Sequence, residues 1–136
     1  MPRRWLVKTE PGTYSFADLT RDGTTTWDGV RNNAAALHLK AMATGDPVLV
    51  YHSGDDKAVV GLAEVSRTAF PDKTDPAGRF VAIELKAGKP VATPVTLSAM
   101  KANPALAKLE MIRQSRLSVS PVSEAEWNEI LGMAGG

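Results

Sequence analysis

At 136 residues with 43% hydrophobic side chains, the chain is sized for one domain with its own core and needs neither metal nor cross-link to hold it. It contains no cysteine, which excludes disulfides, thiolate nucleophiles and cysteine-bound zinc or iron–sulfur centres and gives no sign of an oxidising compartment. Sixteen Lys and Arg against fifteen Asp and Glu leave a net charge of +1, so a whole-molecule basic field that grips duplex phosphate is excluded and any nucleic-acid contact has to be local. Met1-Pro2-Arg3-Arg4-Trp5 runs straight into a strand-like segment without an apolar leader, and no window is long enough to span a bilayer. The expectation is a cytoplasmic protein, neither secreted nor membrane-embedded.

Arg4 to Lys8 reads as the first strand, with Trp5 and Val7 on one face and Leu6 and Lys8 on the other, ended by Glu10-Pro11-Gly12. Tyr14 precedes Ser15-Phe16-Ala17-Asp18, a serine N-cap with a carboxylate three residues on, which predicts a short helix to about Thr20 closed by Asp22-Gly23. The polar run Thr24-Thr25-Thr26 leads to the densest functional stretch, Trp27-Asp28-Gly29-Val30-Arg31-Asn32. Trp27 offers a broad π-face, Gly29 permits positive φ or a close approach, and Arg31 and Asn32 carry planar groups with several hydrogen-bonding atoms. Together these suit a flat polar molecule held at a helix start. The plainer reading of the same residues is a core tryptophan, a turn glycine and a solvated arginine. Ala35, Leu39 and Met42 then recur at helical spacing, which predicts a helix over Arg31 to Met42.

Gly45-Asp46 turns the chain into Pro47 to Ser53, a strand with Val48, Val50 and His52 on one face and Leu49, Tyr51 and Ser53 on the other. A turn over Gly54 to Lys57 leads to a second strand, Ala58 to Ser66, whose small residues suit tight curvature. Arg67 to Gly78 reads as a mobile flap, Arg79 to Lys86 as a strand, Ala87 to Pro90 as a turn, and Val91 to Thr96 as a proline-bearing edge piece. Short helices follow over Leu97 to Asn103 and Pro104 to Gln114. Arg116 to Val122 is the closing strand, with Arg116, Ser118 and Ser120 on its polar face, and Ser123-Glu124-Ala125-Glu126 is a capping box for a last helix ended by Gly132. The fold class is therefore α+β: five to six short strands, mostly antiparallel, in a small curved barrel-like sheet flanked by short helices, as one domain over residues 1–136.

Catalytic machinery is hard to assemble from these residues. His52 and Ser53 are strand neighbours and point to opposite faces, so they cannot form a nucleophile–base pair. With only two histidines and no cysteine, no metal site or cofactor motif is expected, and no Walker loop, Gly-x-Ser-x-Gly or His-Glu-x-x-His occurs. Stacking groups (Tyr14, Trp27, Tyr51) and polar readers (Arg31, Asn32, Ser53, Ser118) favour recognition over bond-breaking. Basic clusters at Arg3, Arg4 and Lys8 and at Lys101, Lys108, Arg113 and Arg116 are the local positive charge available.

Taken in order, Trp5 to Pro11, Tyr14-Ser15, Asp18-Leu19, Trp27 to Asn32, Gly45-Asp46, Tyr51-His52-Ser53, Val60-Gly61, Ala63 to Val65, Arg116 to Val122 and Glu126-Trp127 resemble the EVE domain of the PUA-like group, nearly end to end. The resemblance implies a PUA-like domain without catalysis whose pocket accepts a modified base in DNA or RNA. It implies ligand-binding roles for Tyr14, Ser15, Trp27, Val30, Arg31, Asn32, Tyr51, His52, Ser53, Arg116 and Ser118. The competing expectation is a small-molecule or protein-interaction domain that kept this fold without base reading. Asn33, Ala34, Ala36 and Leu37 stand where the family commonly has an aromatic residue, a glutamine, an arginine and an asparagine, and Phe80 stands where relatives often carry tryptophan. These departures imply an altered pocket or a smaller or differently modified base.

Overall fold

The structure, a computed structural model, describes residues 3–135. Met1, Pro2 and Gly136, which the one-domain expectation and the reading of the N-terminal start include, lie outside the described residues. Six strands, β1 (Arg4–Thr9), β2 (Thr24–Trp27), β3 (Pro47–His52), β4 (Ala58–Pro71), β5 (Val81–Thr96) and β6 (Val119–Val122), form one sheet in the order β2-β5-β4-β3-β1-β6. Only β1 and β3 run parallel, in register from Trp5 opposite Val48 to Thr9 opposite His52. The other four pairings are antiparallel. Among the described residues no pairing joins β2 to β6, so the sheet is curved but not closed.

Helices α1 (Phe16–Asp22) and α2 (Asn33–Ala41) cover one side of the sheet, while α3 (Leu97–Ala102), a 3-10 turn at Pro104–Leu106, α4 (Glu110–Arg113) and α5 (Glu124–Met133) cover the other. The strand period of two assigns side chains to these layers. Trp5, Val7, Val48 and Val50 enter the core with Leu19, Leu39 and Ile83, while Leu6, Leu49 and Tyr51 enter the second core with Met100, Leu109, Trp127 and Ile130. With both faces of β1 and β3 buried, their near-continuous apolar sequence follows. Each such aliphatic side chain removed from water contributes roughly 1.5–3 kcal/mol.

The ends of α1 and α5 are fixed by the predicted capping boxes: Ser15 accepts from Asp18 N, Ser123 accepts from Glu126 N, and each acidic side chain reaches back to its cap's N–H. Elsewhere the architecture differs from the sequence expectation. Thr24 to Thr26 belong to a strand, because β5 offers them a ladder from Lys86 to Glu84 that the sequence alone does not reveal. Ala87 to Pro90 make no turn; β5 continues through them, and the register shifts where Gly61 faces Pro90, which has no N–H to donate. Gly88 signals a close approach, since a Cβ there would meet the Leu62 carbonyl oxygen at 2.6 Å. The predicted helix over 104–114 is broken in two, which brings both Leu106 and Leu109 fully into the second core. α5 continues past Gly132 to Met133. Among the described residues no helix is long and apolar enough to cross a membrane.

Candidate functional site

A cleft of about 570 Å³ opens where the end of β1, the approach to α1, the end of β2 and Ser118 converge. Trp27, Tyr14 and Val30 give it an apolar wall, and Lys8, Glu10, Asp28, Arg31 and a set of hydroxyls from Thr9, Thr13, Thr25, Thr26 and Ser118 surround that wall. The parallel β1–β3 pair is the reason the wall exists. Its crossover must carry the chain through α1, β2 and α2, and it leaves Trp27 at the end of a short edge strand, facing the same core as Val7.

Each wall residue is held. Trp27 is 9% exposed and takes the edge of Tyr14, with ring centroids 6.3 Å apart and planes at 85°. Tyr14 is pinned at both ends: its hydroxyl donates to Asp22 Oδ2 at 2.8 Å and its carbonyl accepts from Thr9 Oγ1 at 2.6 Å. Burial, above all, pushes the Tyr14 phenol above its ordinary value, with the Asp22 carboxylate adding to it. Lys8 Nζ donates to Ser115 O at 2.9 Å, and partial burial lowers its ammonium below the ordinary lysine range.

The segment Asp28 to Arg31 owes its position to Asp72, a carboxylate that is 2% exposed. Asp72 Oδ2 accepts from Gly29 N at 2.9 Å and from Arg31 Nη1 at 3.0 Å. Its Oδ1 accepts from Thr74 N at 2.7 Å and Thr74 Oγ1 at 2.6 Å. Gly29 meets this carboxylate with φ of +75°, the conformation its missing side chain permits. Burial pushes the Asp72 carboxyl upward, but the hydrogen bonds from Thr74, Gly29 and Arg31 together outweigh it and hold the group well below the usual carboxylate range. Arg31 also donates to Thr74 Oγ1 at 2.8 Å and lies over the Phe80 ring at 5.3 Å. The predicted flap is consequently a fastened turn: β4 runs on to Pro71, and Asp75 Oδ2 accepts from Arg79 N and Phe80 N, both at 2.8 Å.

Of the residues singled out from the sequence, Tyr14, Trp27, Val30, Arg31 and Ser118 come together in this cleft. The others lie elsewhere. Tyr51 and Ser53 line a second groove of about 200 Å³ on the far side of Lys8. Asn32 and Arg116 line a third, of about 330 Å³. Asn32 is also the cap of α2, its Oδ1 accepting from Ala35 N at 3.0 Å, as Ser15 is of α1. His52 is buried and lines none of these spaces. Its Nε2 accepts from Phe16 N at 2.9 Å, which places the ring proton on Nδ1, 3.0 Å from Asp56 Oδ2. It thereby ties β3 to the start of α1. Sequence reasoning missed Asp72 altogether and placed Lys8 in a basic cluster with Arg3 and Arg4 rather than in the cleft. The Asp72-Lys73-Thr74 spacing, suited to an Asx turn, was the available signal for the first.

Comparison with known proteins gives a consistent picture. The family model described as the EVE domain matches residues 3–133. A Rhodopseudomonas palustris protein solved by NMR is 47% identical, with a TM-score of 0.92 over 98% of this chain and 93% of that one. The human THYN1 protein, solved in complex with DNA containing 5-methylcytosine, is 25% identical with a TM-score of 0.92 over 98% of each chain. Human thymocyte nuclear protein 1 is 37% identical over 82 residues, a match that takes in 52% of this chain but only 36% of the human protein's length.

Proposed function

This chain belongs to the EVE domain family, and we propose that it acts as a single EVE unit that binds a modified nucleobase in DNA or RNA in the Trp27 cleft, without turning it over. The observation that carries this reading is the apolar Trp27–Tyr14–Val30 wall set within a ring of donors and acceptors. A base has two faces that seek an apolar surface and an edge that seeks hydrogen bonds. In this reading Trp27 and Val30 take the face, Lys8 and the hydroxyls of Thr25 and Ser118 donate to carbonyl or ring-nitrogen acceptors, and Glu10 and Asp28 accept from an exocyclic amine. The likeness to the THYN1 structure that holds 5-methylcytosine DNA supports the same class of ligand.

Extruding a base from a duplex costs a few kcal/mol. Stacking contributes about 1–3 kcal/mol per base, so edge hydrogen bonds must supply the remainder, and a methyl group filling the apolar side adds roughly 0.8 kcal/mol. A preference for the modified base of a few-fold to tenfold is the scale this cleft supports.

The test is a fluorescence titration of short oligonucleotides, DNA and RNA, unmodified or carrying methylated or hydroxymethylated cytosine or methylated adenine. Trp27 is part of the core, so Trp27→Ala risks unfolding, and Thr13→Trp, at an exposed cleft residue, is the better blocking variant. The expected result is tighter binding of one modified strand by wild type and loss of that preference in Thr13→Trp, with the thermal melt unchanged. Equal binding of every strand by wild type would overturn base reading.

A further inference from the structure

The two grooves beside the cleft share a property that the net charge conceals. The second groove carries Lys8, Lys57 and Lys101. The third carries Arg113 and Arg116. Neither lining includes a carboxylate, although the chain as a whole holds fifteen acidic residues against sixteen basic ones. Positive charge is therefore concentrated on both sides of the Gln114–Ser118 segment, which runs between the grooves and ends at the cleft. Lys8 belongs to both the cleft and the second groove, and its bond to Ser115 O fixes that segment from the β1 side.

We infer that the two grooves form a track for the sugar–phosphate backbone of a nucleic-acid strand on either side of a base held in the cleft, with Lys57 and Lys101 meeting phosphates on one flank and Arg113 and Arg116 on the other. The inference rests on the base-binding reading and extends it to the strand. Three features carry it. Lys57, Lys101, Arg113 and Arg116 are all exposed, so their charges are available to a polyanion. Among the described residues, the one ion pair that any of them makes is between exposed Arg113 and half-buried Glu110 at 3.6 Å, a long pair that phosphate can replace at little loss. The position of Lys57 is fixed: its backbone adopts φ of +44°, the one non-glycine residue with positive φ among the described residues, and its carbonyl accepts from Leu97 N at 2.7 Å. The side chain thus leaves the β3–β4 turn beside Lys101 of α3 with little freedom in its backbone. The two flanks also explain how a protein with net charge +1 can hold nucleic acid: the field is local, on both sides of the base seat.

Phosphate contacts and base contacts leave different signatures, because only the former release counterions. The experiment measures binding of a modified and a matched unmodified single strand of about twelve nucleotides, a length within the usual single-strand site sizes, from low to physiological salt. The proteins are wild type, Lys57→Gln/Lys101→Gln, Arg113→Gln/Arg116→Gln and Thr13→Trp. Each double variant is expected to weaken both strands alike and to flatten the slope of log K against log salt by roughly 0.7 for every phosphate no longer engaged, so by about 1.4 per pair. Thr13→Trp is expected to keep the wild-type slope and lose the preference for the modified strand. Wild-type slopes in both double variants, with base preference intact in wild type, would overturn the backbone track and leave base reading standing. Flattened slopes together with no base preference in wild type would leave the track standing and base reading refuted. Binding of a polyglutamate of equal length as tight as that of the oligonucleotide would also overturn the assignment to a nucleic-acid strand.

Discussion

Replacing Asp72 by asparagine tests the idea that a buried carboxylate, rather than the cleft residues themselves, sets the shape of the cleft. The amide retains one oxygen and exchanges the other for an NH₂, so it must present a donor either to Thr74 N and Oγ1 or to Gly29 N and Arg31. Facing Thr74 is the milder choice, since that hydroxyl can rotate to accept, but Thr74 N–H is then left without an acceptor. A buried unsatisfied donor costs about 1–3 kcal/mol. Loss of the negative charge weakens the bond to Arg31, whose side chain is 40% exposed, so that contribution is discounted to about 1 kcal/mol. The expected loss is about 2–4 kcal/mol at pH 7. It also has a pH signature. The folded carboxyl is held well below its ordinary value of 3.8, so its stabilisation is fully present above that value and is lost as pH falls below it toward the folded value. The gap between wild type and Asp72→Asn should therefore be constant from about pH 7 to 5 and shrink between about pH 4 and 3. Urea unfolding followed by tryptophan fluorescence at these pH values reads it directly. A loss under about 1 kcal/mol at pH 7, or a gap that stays the same at about pH 3, would refute the account of Asp72.

Gly61→Ala should destabilise by about 1–3 kcal/mol, the scale of an overpacked core, because a Cβ built there clashes with two carbons of the buried Phe16 ring. In a Phe16→Leu background the same change should cost at least about 1 kcal/mol less, as a double-mutant cycle in urea would register. Trp5→Phe removes the Nε1–H that Asp46 Oδ2 accepts at 2.9 Å in the core, leaving that oxygen with Ala43 N alone among its observed donors. The expected cost is roughly 2–3 kcal/mol, and thermal melts should show much of it vanishing when Asp46 is alanine. The chain has two tyrosines, and burial pushes both phenols up. Absorbance at 295 nm should accordingly show less than half of the tyrosine ionised at about pH 10 in the folded protein, and a curve matching free tyrosine would contradict their burial.

Local signals in the sequence located most elements, because capping boxes and strand alternation act over a few residues. Ser15 with Asp18 and Ser123 with Glu126 fixed two helix starts where expected. Failures occurred where a distant partner decides. Thr24 to Thr26 have no apolar pattern and become a strand only because β5 lies alongside. Gly88 and Pro90 look like a turn, yet the glycine admits the Leu62 carbonyl and the proline occupies a register shift. The candidate site divided the same way. Trp27, Val30 and Arg31 are close in sequence and were visible as a group, whereas Asp72 is more than forty positions from Gly29 in sequence and acts through hydrogen bonds that no spacing reveals. Asn32 and Ser15 carry ligand roles by the resemblance, and the side-chain oxygen of each also caps a helix; the cap at Ser15 was legible from Asp18 three residues on, whereas Asn32 has no such carboxylate to mark it.

The departures from the EVE pattern also gain a physical meaning once placed. Asn33, Ala34, Ala36 and Leu37 all belong to α2, and none of them lines the Trp27 cleft. Ala36 is 5% exposed and Leu37 is 64% exposed, so the two face different surroundings and cannot form one missing wall. Ala34 lines the groove that holds Arg113 and Arg116. A glutamine there, as the family pattern has it, would fill part of that groove and bring a neutral amide toward the two arginines. Alanine leaves the space open, about 330 Å³ of it, and the guanidinium groups uncovered. On the proposed reading, the change at Ala34 therefore falls beside the cleft and not in it, and the wall of Trp27, Tyr14 and Val30 is intact. On that reading a strand meets this member with more of its backbone against arginine while the base meets the same aromatic surface. Altered affinity and salt dependence, more than altered choice of base, are what the change at Ala34 should bring on that reading.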